Sequence, residues 1–178
     1  MQKRTEVRIA GLGGQGVVLT GKILGGAAVY DGKNVVQTQS YGAEARGSAA
    51  KSEVIIADKK VGFPIVRKCD VLVAMSQTAL EKHLKDLKED GTLLVDEDLV
   101  REVPKIRAKI FKIPATKMAE TKLKSKIFAN VIMLGALTKT TGIVSQQAVE
   151  KAITESVPNK TLENNIRGFR IGLELVKQ

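Results

Sequence analysis

The sequence has very few of the residues that usually build metal centres, disulfides or aromatic binding surfaces. Its 178 residues include one cysteine, one histidine, two tyrosines, four phenylalanines and no tryptophan. The single cysteine, Cys69, excludes an internal disulfide framework and any iron–sulfur cluster ligated by this chain alone. With so few aromatic rings, a surface that stacks nucleic-acid bases is disfavoured.

The side chains needed for self-contained catalysis are missing as well. His83 lies in a charged segment beside Lys82 and has no evident serine or cysteine partner, so neither a catalytic triad nor a metal site is indicated. Cys69 precedes an apolar segment and is interpreted as a small core residue. The phosphate-loop pattern G-x-x-x-x-G-K-[ST] does not occur, because Lys22 comes too late after Gly16. These absences are typical of a binding or accessory subunit without catalytic residues of its own.

Long apolar stretches are also absent. No run approaches the ~20 residues that a membrane helix needs, and the N-terminal MQKRTEVRIAG lacks the apolar stretch of a secretory signal. No membrane partner and a cytoplasmic location are therefore expected. The length and the 43% hydrophobic content predict one domain, residues 1–178, with a buried core.

The formal net charge of +10 is unevenly distributed. Between Arg101 and Lys126 there are nine lysines and arginines but only two acids, Glu102 and Glu120. Such a stretch indicates an acidic partner protein, a polyphosphate ligand, nucleic acid, or simply a solvated basic face. The scarcity of aromatic residues argues against nucleic acid among these interpretations.

The best-defined motif is a glycine-rich turn between a predicted strand and a predicted helix. It reads GLGGQG, from Gly11 to Gly16, and contains the G-x-G-x-x-G spacing with one additional glycine. Without Cβ atoms, such a turn can adopt positive φ angles and bring its amides close to a ligand, although close packing alone also requires glycine. The start of the next helix offers free N–H groups at the same place, which suits phosphate. The candidate binding residues of this glycine turn are Gly11, Gly13, Gly14, Gln15 and Gly16.

The end of the second predicted strand argues against a dinucleotide. A Rossmann site usually has an acid there, which binds the ribose hydroxyls. In this chain the position reads Gln37-Thr38-Gln39, without a carboxylate, and Asp31 precedes the strand instead of following it. NAD and FAD are therefore disfavoured as ligands of the glycine turn.

A polar segment with two glycines follows this strand and reads QSYGAEARGSA over residues 39–49. Because it follows a strand, we expect it beside the glycine turn at the carboxyl edge of the sheet, where ligands of open α/β folds bind. A structural loop with a surface ion pair is the alternative. The candidate binding residues of this polar segment are Ser40, Tyr41, Gly42, Glu44, Arg46 and Gly47.

The apolar and helical patterns predict a Rossmann-like three-layer α/β fold with a mostly parallel sheet and a helical C-terminal segment. A βαβ unit is expected to be complete by residue 38. Residues 61–63 are expected to pair with the strand at 51–57 and to make one edge antiparallel. A turn is expected at 89–91. Strands are predicted at 6–10, 35–38, 51–57, 70–75, 92–96 and 109–113, and helices at 15–30, 76–87, 123–134, 146–155 and 160–176.

Three single-residue roles are also predicted. Gly21 and Gly25 lie four residues apart on one helix face, where they permit close contact with the sheet. Ser76 is expected to cap the following helix with its hydroxyl group. Asn130 lies among apolar residues and needs a hydrogen-bonding partner if it is buried.

Four sequence blocks, taken in order, carry a resemblance to a known family: GLGGQGVVLTGKILGGAA, QTQSYGAEARGSAAKSEV, CDVLVAMSQ and ANVIMLGAL. Over about residues 7–137 the chain resembles the gamma subunits of 2-oxoacid:ferredoxin oxidoreductases. The second block, with the form Q-S-Y-G-x-E-x-R-G, is more similar to the 2-oxoglutarate (or broadly 2-ketoacid) branch than to the pyruvate branch. Ser48 stands where a small residue, often glycine, is usual in the family.

The resemblance implies oxidative decarboxylation of a 2-oxoacid, with transfer of the acyl group to coenzyme A and of electrons to ferredoxin. Thiamine diphosphate, magnesium and the iron–sulfur cluster are then expected on partner subunits, namely alpha and beta chains and, in some complexes, a delta chain. This chain would contribute coenzyme A contacts and subunit contacts. Self-association of the isolated chain is left open.

Two alternatives to this assignment remain. The first is a stand-alone Rossmann-like nucleotide-binding or sensing module, which the glycine turn favours. The second is the gamma subunit of a related pyruvate, 2-oxoisovalerate or indolepyruvate oxidoreductase.

Overall fold

A computed structural model of the protein describes residues 4–42 and 47–176. The strands are β1 (Arg4–Leu12), β2 (Asn34–Tyr41), β3 (Ala49–Ala57), β4 (Cys69–Ala74), β5 (Leu87–Asp96) and β6 (Lys109–Ile113). The helices are α1 (Val17–Tyr30), α2 (Gln77–His83), α3 (Ala115–Leu123), α4 (Ala129–Thr141), α5 (Gln146–Ser156) and α6 (Asn159–Leu175). None of these helices has the length and apolar character that crossing a membrane requires.

The six strands form one sheet in the order β2-β3-β1-β4-β5-β6. The pairs β1–β4, β4–β5 and β5–β6 are parallel. β3 runs antiparallel to both of its neighbours, β1 and β2. The predicted α/β fold, with a mostly parallel sheet and an antiparallel part, is therefore confirmed.

The predicted βαβ unit is present, with β1 and β2 both antiparallel to β3, which lies between them. One expectation for the antiparallel part is wrong. Residues 61–63 are outside the strands that the structure describes, and β3 pairs with β2 instead. The side chains explain this order. β3 is buried along almost its whole length and needs a strand on each side, whereas most side chains of β2 are exposed, as suits an edge strand.

The two faces of the sheet bury apolar cores of different size. The larger core includes Val7 and Ile9 of β1 and lies against the helices α1, α3, α4, α5 and α6. The smaller core includes Leu72 and Leu93 and lies against α2 and the extended segments before β4 and β6. The C-terminal helices therefore cover one face of the sheet, in agreement with the predicted helical segment.

Glycine permits close contact between α1 and the sheet. A Cβ atom on Gly21 would lie 2.0 Å from the hydroxyl oxygen of Ser52. A Cβ atom on Gly25 would lie 3.3 Å from the side chain of Val35. The predicted role of these two glycines is confirmed.

The approach of α4 to α6 is equally close and involves backbone atoms on both sides. A Cβ atom on Gly172 would lie 2.0 Å from the carbonyl oxygen of Ile132. A Cβ atom on Gly135 would lie 2.1 Å from the carbonyl oxygen of Phe169. The two helices therefore pack through glycine at both positions.

Local predictions around the helices have mixed outcomes. Ser76 caps α2 as predicted, since its hydroxyl oxygen accepts from the backbone N–H of Ala79 at 3.2 Å. The long helix expected at 123–134 is interrupted, because α3 ends at Leu123, Lys124 has φ 60°, and α4 begins only at Ala129. The apolar spacing continues across this break since both helices face one core. The turn expected at 89–91 lies inside β5, near an irregularity in its pairing with β4.

Candidate ligand site at the glycine turn

The glycine turn joins the end of β1 to the start of α1 at the carboxyl edge of the parallel strands. The backbone N–H of Gln15 donates to the carbonyl of Leu12 at 3.1 Å and closes the turn. α1 begins at Val17, later than predicted, and Gly16 is its N-cap with φ 72°. No side chain among residues 4–42 and 47–176 caps this helix. Its first N–H groups, which have no partner within the helix, therefore remain available to a ligand.

The glycines of the turn serve different purposes. A Cβ atom on Gly11 would lie 2.4 Å from Oε1 of Gln15 and 3.2 Å from Cβ of Met75, so Gly11 is required for packing. Gly14 has φ 90° and is exposed, and a Cβ atom there would meet nothing within 4 Å. Gly13 is exposed as well. Gly13 and Gly14 therefore form the part of the turn that a ligand can approach.

The side chain of Gln15 stabilises the turn through two hydrogen bonds. Its Oε1 accepts from the backbone N–H of Leu12 at 2.6 Å, and its Nε2 donates to the carbonyl of Met75 at 2.8 Å. These bonds connect the end of β1 to the end of β4. The predicted contribution of Gln15 to the site is therefore through the shape of the turn, because both ends of its side-chain amide are already bonded.

Asn130 of α4 lies against the N-cap of α1. It is 3% exposed, and its Nδ2 donates to the carbonyl of Gly16 at 3.4 Å. A Cβ atom on Gly16 would lie 2.4 Å from the same nitrogen. Within the described residues, Oδ1 of Asn130 has no hydrogen-bonding partner. The hydrogen-bonding partner predicted for Asn130 is thus present for its Nδ2 group. It lies at the glycine turn, a location that the sequence did not suggest.

The polar segment returns the chain from β2 to β3 beside the glycine turn. The backbone N–H of Gly13 donates to the carbonyl of Ser48 at 2.7 Å. The N–H of Gly42 donates to the carbonyl of Ala49, also at 2.7 Å. Gly47 is exposed and has φ 65°. The expected adjacency of the two motifs is therefore present in the part of the polar segment that the structure describes.

The structure divides the predicted residues of the polar segment between two cavities. Tyr41 is 61% exposed and lines the same cavity as the glycine turn. Ser40 and Gly42 line a smaller cavity, which Tyr41 also borders. Glu44 and Arg46 lie outside the described residues, so their contacts stay predictions.

The larger cavity has a volume of about 480 Å³ and lies between the glycine turn and the end of β2. Gly13, Gly14 and the first turn of α1 line it, together with Tyr41 and Lys22. Lys22 is exposed and has no ion-pair partner among the described residues. Free N–H groups, the positive end of a helix and an ammonium group all favour an anionic ligand.

Lys22 is a site residue that the sequence analysis missed. It was considered only as a misplaced phosphate-loop lysine, although a helical repeat places it on the same face as Val18, which lines the cavity. That spacing was the available signal.

A buried ion group on the other face of the sheet was also missed. It consists of Arg8, Glu53 and Asp86. Arg8 is 3% exposed, and its Nε donates to Glu53 at 2.7 Å while Nη1 donates to Asp86 at 2.5 Å. Burial lowers the pKa of Arg8, but the bonds to the two carboxylates outweigh this effect and raise it overall. The guanidinium therefore stays charged and connects β1, β3 and the turn before β5.

Asp96 is a buried acid at the carboxyl end of β5, and its hydrogen bonds stabilise the fold. Its carboxylate accepts from the hydroxyl of Thr116 at 2.5 Å and from the backbone N–H of Asp98 at 3.2 Å. Burial raises the pKa of Asp96, and these hydrogen bonds oppose that effect. The carboxylate is thus occupied in holding the start of α3.

The part of the basic stretch that lies before and on β6 is at the sheet edge opposite β2. Arg107 in this part pairs with Glu89 at 3.3 Å. A phosphate at the glycine turn would therefore not be bound by these residues.

Comparison with known proteins gives matches over nearly the whole chain. A sequence profile described as pyruvate ferredoxin/flavodoxin oxidoreductase matches residues 6–175. The chain is 51% identical to the 2-oxoglutarate synthase subunit KorC of Methanocaldococcus jannaschii, over 100% of this chain and 97% of that one. The pyruvate synthase subunit PorC of the same organism is 33% identical, over 97% of this chain and 98% of its own length.

Two solved structures are similar to this fold. The gamma subunit of a keto/oxoacid ferredoxin oxidoreductase from Geobacter sulfurreducens has a TM-score of 0.85 and 44% identity, over 96% of both chains. A 2-oxoglutarate:ferredoxin oxidoreductase from Magnetococcus marinus, with 2-oxoglutarate, coenzyme A and succinyl-CoA bound, has a TM-score of 0.88 at 23% identity. That match covers 97% of this chain and 31% of the longer one, and it shows the fold alone.

Proposed function

Because this chain belongs to the pyruvate ferredoxin/flavodoxin oxidoreductase family, we propose that it is the gamma subunit of a 2-oxoacid:ferredoxin oxidoreductase. Its partners are alpha and beta subunits, with a delta subunit in some complexes, and ferredoxin accepts the electrons. The proposal is supported by coverage of 97% of a relative named as one subunit of 2-oxoglutarate synthase and 96% of a solved gamma subunit. The isolated chain is not expected to catalyse the reaction.

The substrate of the complex is proposed to be 2-oxoglutarate. Within one organism, M. jannaschii, the 2-oxoglutarate synthase subunit is 51% identical to this chain, whereas the pyruvate synthase subunit is 33% identical. The form of the polar segment favours the same branch. A pyruvate or branched-chain 2-oxoacid enzyme is the alternative, and it would differ in residues of the partner chains.

The role proposed for this chain is to bind the phosphates of coenzyme A. The observation that carries this role is the uncapped start of α1 beside the exposed glycines Gly13 and Gly14. Coenzyme A contains a pyrophosphate and a 3′-phosphate. Backbone N–H groups, the helix dipole and Lys22 would bind one of these groups and orient the thiol end toward the partner subunits. Tyr41 forms the opposite wall of the cavity.

The cofactors of the reaction are assigned to the partner subunits. Among the residues that the structure describes, no group of three or more His, Cys, Asp or Glu side chains could hold a metal ion. Burial raises the pKa of Cys69 to about 11, so its thiol is unsuited to be a ligand or a nucleophile. A free, buried cysteine is compatible with the reducing cytoplasm, where we place the complex.

Substitution of Lys22 tests the binding role. We expect Lys22→Gln to weaken coenzyme A binding by about fivefold, the effect of losing one exposed charge contact. Isothermal titration of the full chain measures this affinity. Lys112→Gln on β6 is the matched control, because it removes the same charge at the opposite edge of the sheet. Equal affinities for the two variants would contradict the site, and tight binding of NAD would favour the nucleotide-sensing alternative.

Reconstitution tests the assignment as a subunit. Alpha and beta subunits are assayed for coenzyme A-dependent oxidation of 2-oxoglutarate, with ferredoxin reduction as the signal, in the presence and absence of this chain. We expect activity only when the chain is present, because no other subunit is proposed to bind the coenzyme A phosphates. Full activity of the alpha–beta pair alone would disprove the assignment.

A further inference from the structure

A second cavity lies on the other side of β3 from the glycine-turn cavity. It has a volume of about 140 Å³, and Lys51, Lys82 and His83 contribute its charged and titratable lining. Neighbouring residues of a strand point to opposite faces. Since Ser52 faces α1, Lys51 faces α2. The two cavities thus lie on different faces of the sheet, although Tyr41 and Ala50 border both.

His83 is almost completely buried at the end of α2. It is 9% exposed, and its imidazole forms no hydrogen bond to another described residue. Burial, followed by the positive charges of Arg8, Lys51 and Lys82, lowers the pKa of His83 to about 4. The ring is therefore neutral at pH 7 and has one N–H group to donate. This N–H group can donate to a ligand in the cavity that His83 lines.

The charges around His83 leave an excess of positive charge. The buried ion group contributes one cation and two carboxylates, and Lys51 and Lys82 contribute two more cations. Lys51 lies 3.3 Å from Glu53, whose carboxylate is also bound by Arg8 at 2.6 Å. Lys82 is exposed and has no ion-pair partner among the described residues. Lys51 therefore shares its carboxylate partner with Arg8, and Lys82 has no such partner within the described part of the chain.

We propose that this second cavity binds a phosphate group, either inorganic phosphate or a phosphate monoester. The ammonium groups of Lys51 and Lys82 and the N–H of His83 would donate to its oxygens. Charged donors form short, strong hydrogen bonds to phosphate, and three donors on two elements, β3 and α2, can bind more than one of its oxygens. The proposal does not depend on coenzyme A binding at the glycine turn, because the two cavities lie on different faces of the sheet.

The single histidine makes a direct test possible, because the imidazole signals in a proton NMR spectrum of the full chain belong to His83 alone. Inorganic phosphate is titrated at pH 7, with sodium chloride added to keep the ionic strength constant. We expect a saturable shift of the His83 signals. In a parallel pH titration with sulfate, which remains a dianion at low pH, the pKa of His83 is expected to rise by about one, because an adjacent anion favours the imidazolium.

A charge substitution locates the binding. Lys82→Gln is expected to weaken phosphate binding by about fivefold, as for one exposed charge contact. Lys85→Gln is the matched control, since Lys85 is exposed nearby but does not line the cavity. Both lysines are on the surface, so both variants should fold.

The probes also distinguish the two sources of the phosphate group. If adenosine 3′,5′-bisphosphate binds more than about tenfold tighter than inorganic phosphate, the ligand of the cavity is a nucleotide monoester. If the two bind equally, the ligand is the free phosphate ion. Either result supports the site. The proposal is overturned if neither probe shifts the His83 signals beyond the sodium chloride control, or if the two lysine variants lose affinity equally.

Discussion

Gly172→Ala is expected to destabilise the protein by about 3 kcal/mol, near the upper end of the range for overpacking a core. The new Cβ atom would lie 2.0 Å from the carbonyl oxygen of Ile132 and 3.0 Å from the backbone nitrogen of Ala136. Both are backbone atoms of α4, which is buried from Ala129 to Thr138 and cannot yield. α6 must therefore move away and open space around Phe169, which is fully buried. Urea unfolding of the full chain measures the loss.

Gly26→Ala is the matched control for this substitution. Gly26 also lies within a helix, but its Cβ atom would lie 3.5 Å from Cβ of Ala152, an ordinary contact. Alanine should there stabilise α1 by up to about 1 kcal/mol through its higher helix propensity. If Gly172→Ala unfolds at the same urea concentration as the wild type, α4 and α6 do not approach each other as closely as described.

Glu53→Gln is expected to cost about 3 kcal/mol, because removing one partner of a buried ion pair leaves the other charge less well compensated. Glu53 and Arg8 are direct cross-strand partners on β3 and β1, with side chains only 10% and 4% exposed. After the substitution, Arg8 would retain Asp86 and the carbonyl of Val66. Thermal or urea unfolding at neutral pH measures the change.

A surface pair gives the comparison that isolates burial. Glu89→Gln removes the partner of Arg107, where the two side chains are 81% and 86% exposed, and should cost less than about 0.5 kcal/mol. Combining Arg8→Met with Glu53→Gln should cost less than the sum of the two single changes, because the charges are removed together. Equal costs for Glu53→Gln and Glu89→Gln would show that burial adds nothing to this pair.

The strand neighbours were harder to predict than the strands themselves. The alternation in β1 and the apolar run of β4 are local, and both strands were identified from the sequence. The position of β3 between β1 and β2 depends on which strands satisfy its two buried faces, and this is settled only in the folded chain. The buried ion group has the same origin. Arg8 reads as an ordinary polar strand residue until β3 places Glu53 directly opposite it.

At the candidate site, the motif could be predicted from the sequence, but the separate roles of its residues could not. Glycine spacing indicated the turn, yet Gly11 packs against Met75 while Gly14 faces open space, and both look alike in the sequence. Asn130 is far from the turn along the chain and reaches it only because α4 packs beneath α1. Direct ligand contacts of the residues predicted from the sequence stay predictions until binding is measured.

The edge position of β2 links ligand binding to local unfolding. Among the described strands, β2 has only β3 as a neighbour, whereas β1 has a neighbour on each side. The amides of β2 should therefore exchange with solvent hydrogen faster than those of β1. Tyr41, at the end of β2, forms a wall of the glycine-turn cavity. A ligand that contacts Tyr41 binds only the form in which β2 is paired with β3. Binding therefore slows hydrogen exchange along β2 in proportion to the occupancy of the site. Hydrogen exchange along this edge strand thus reports whether the site is filled.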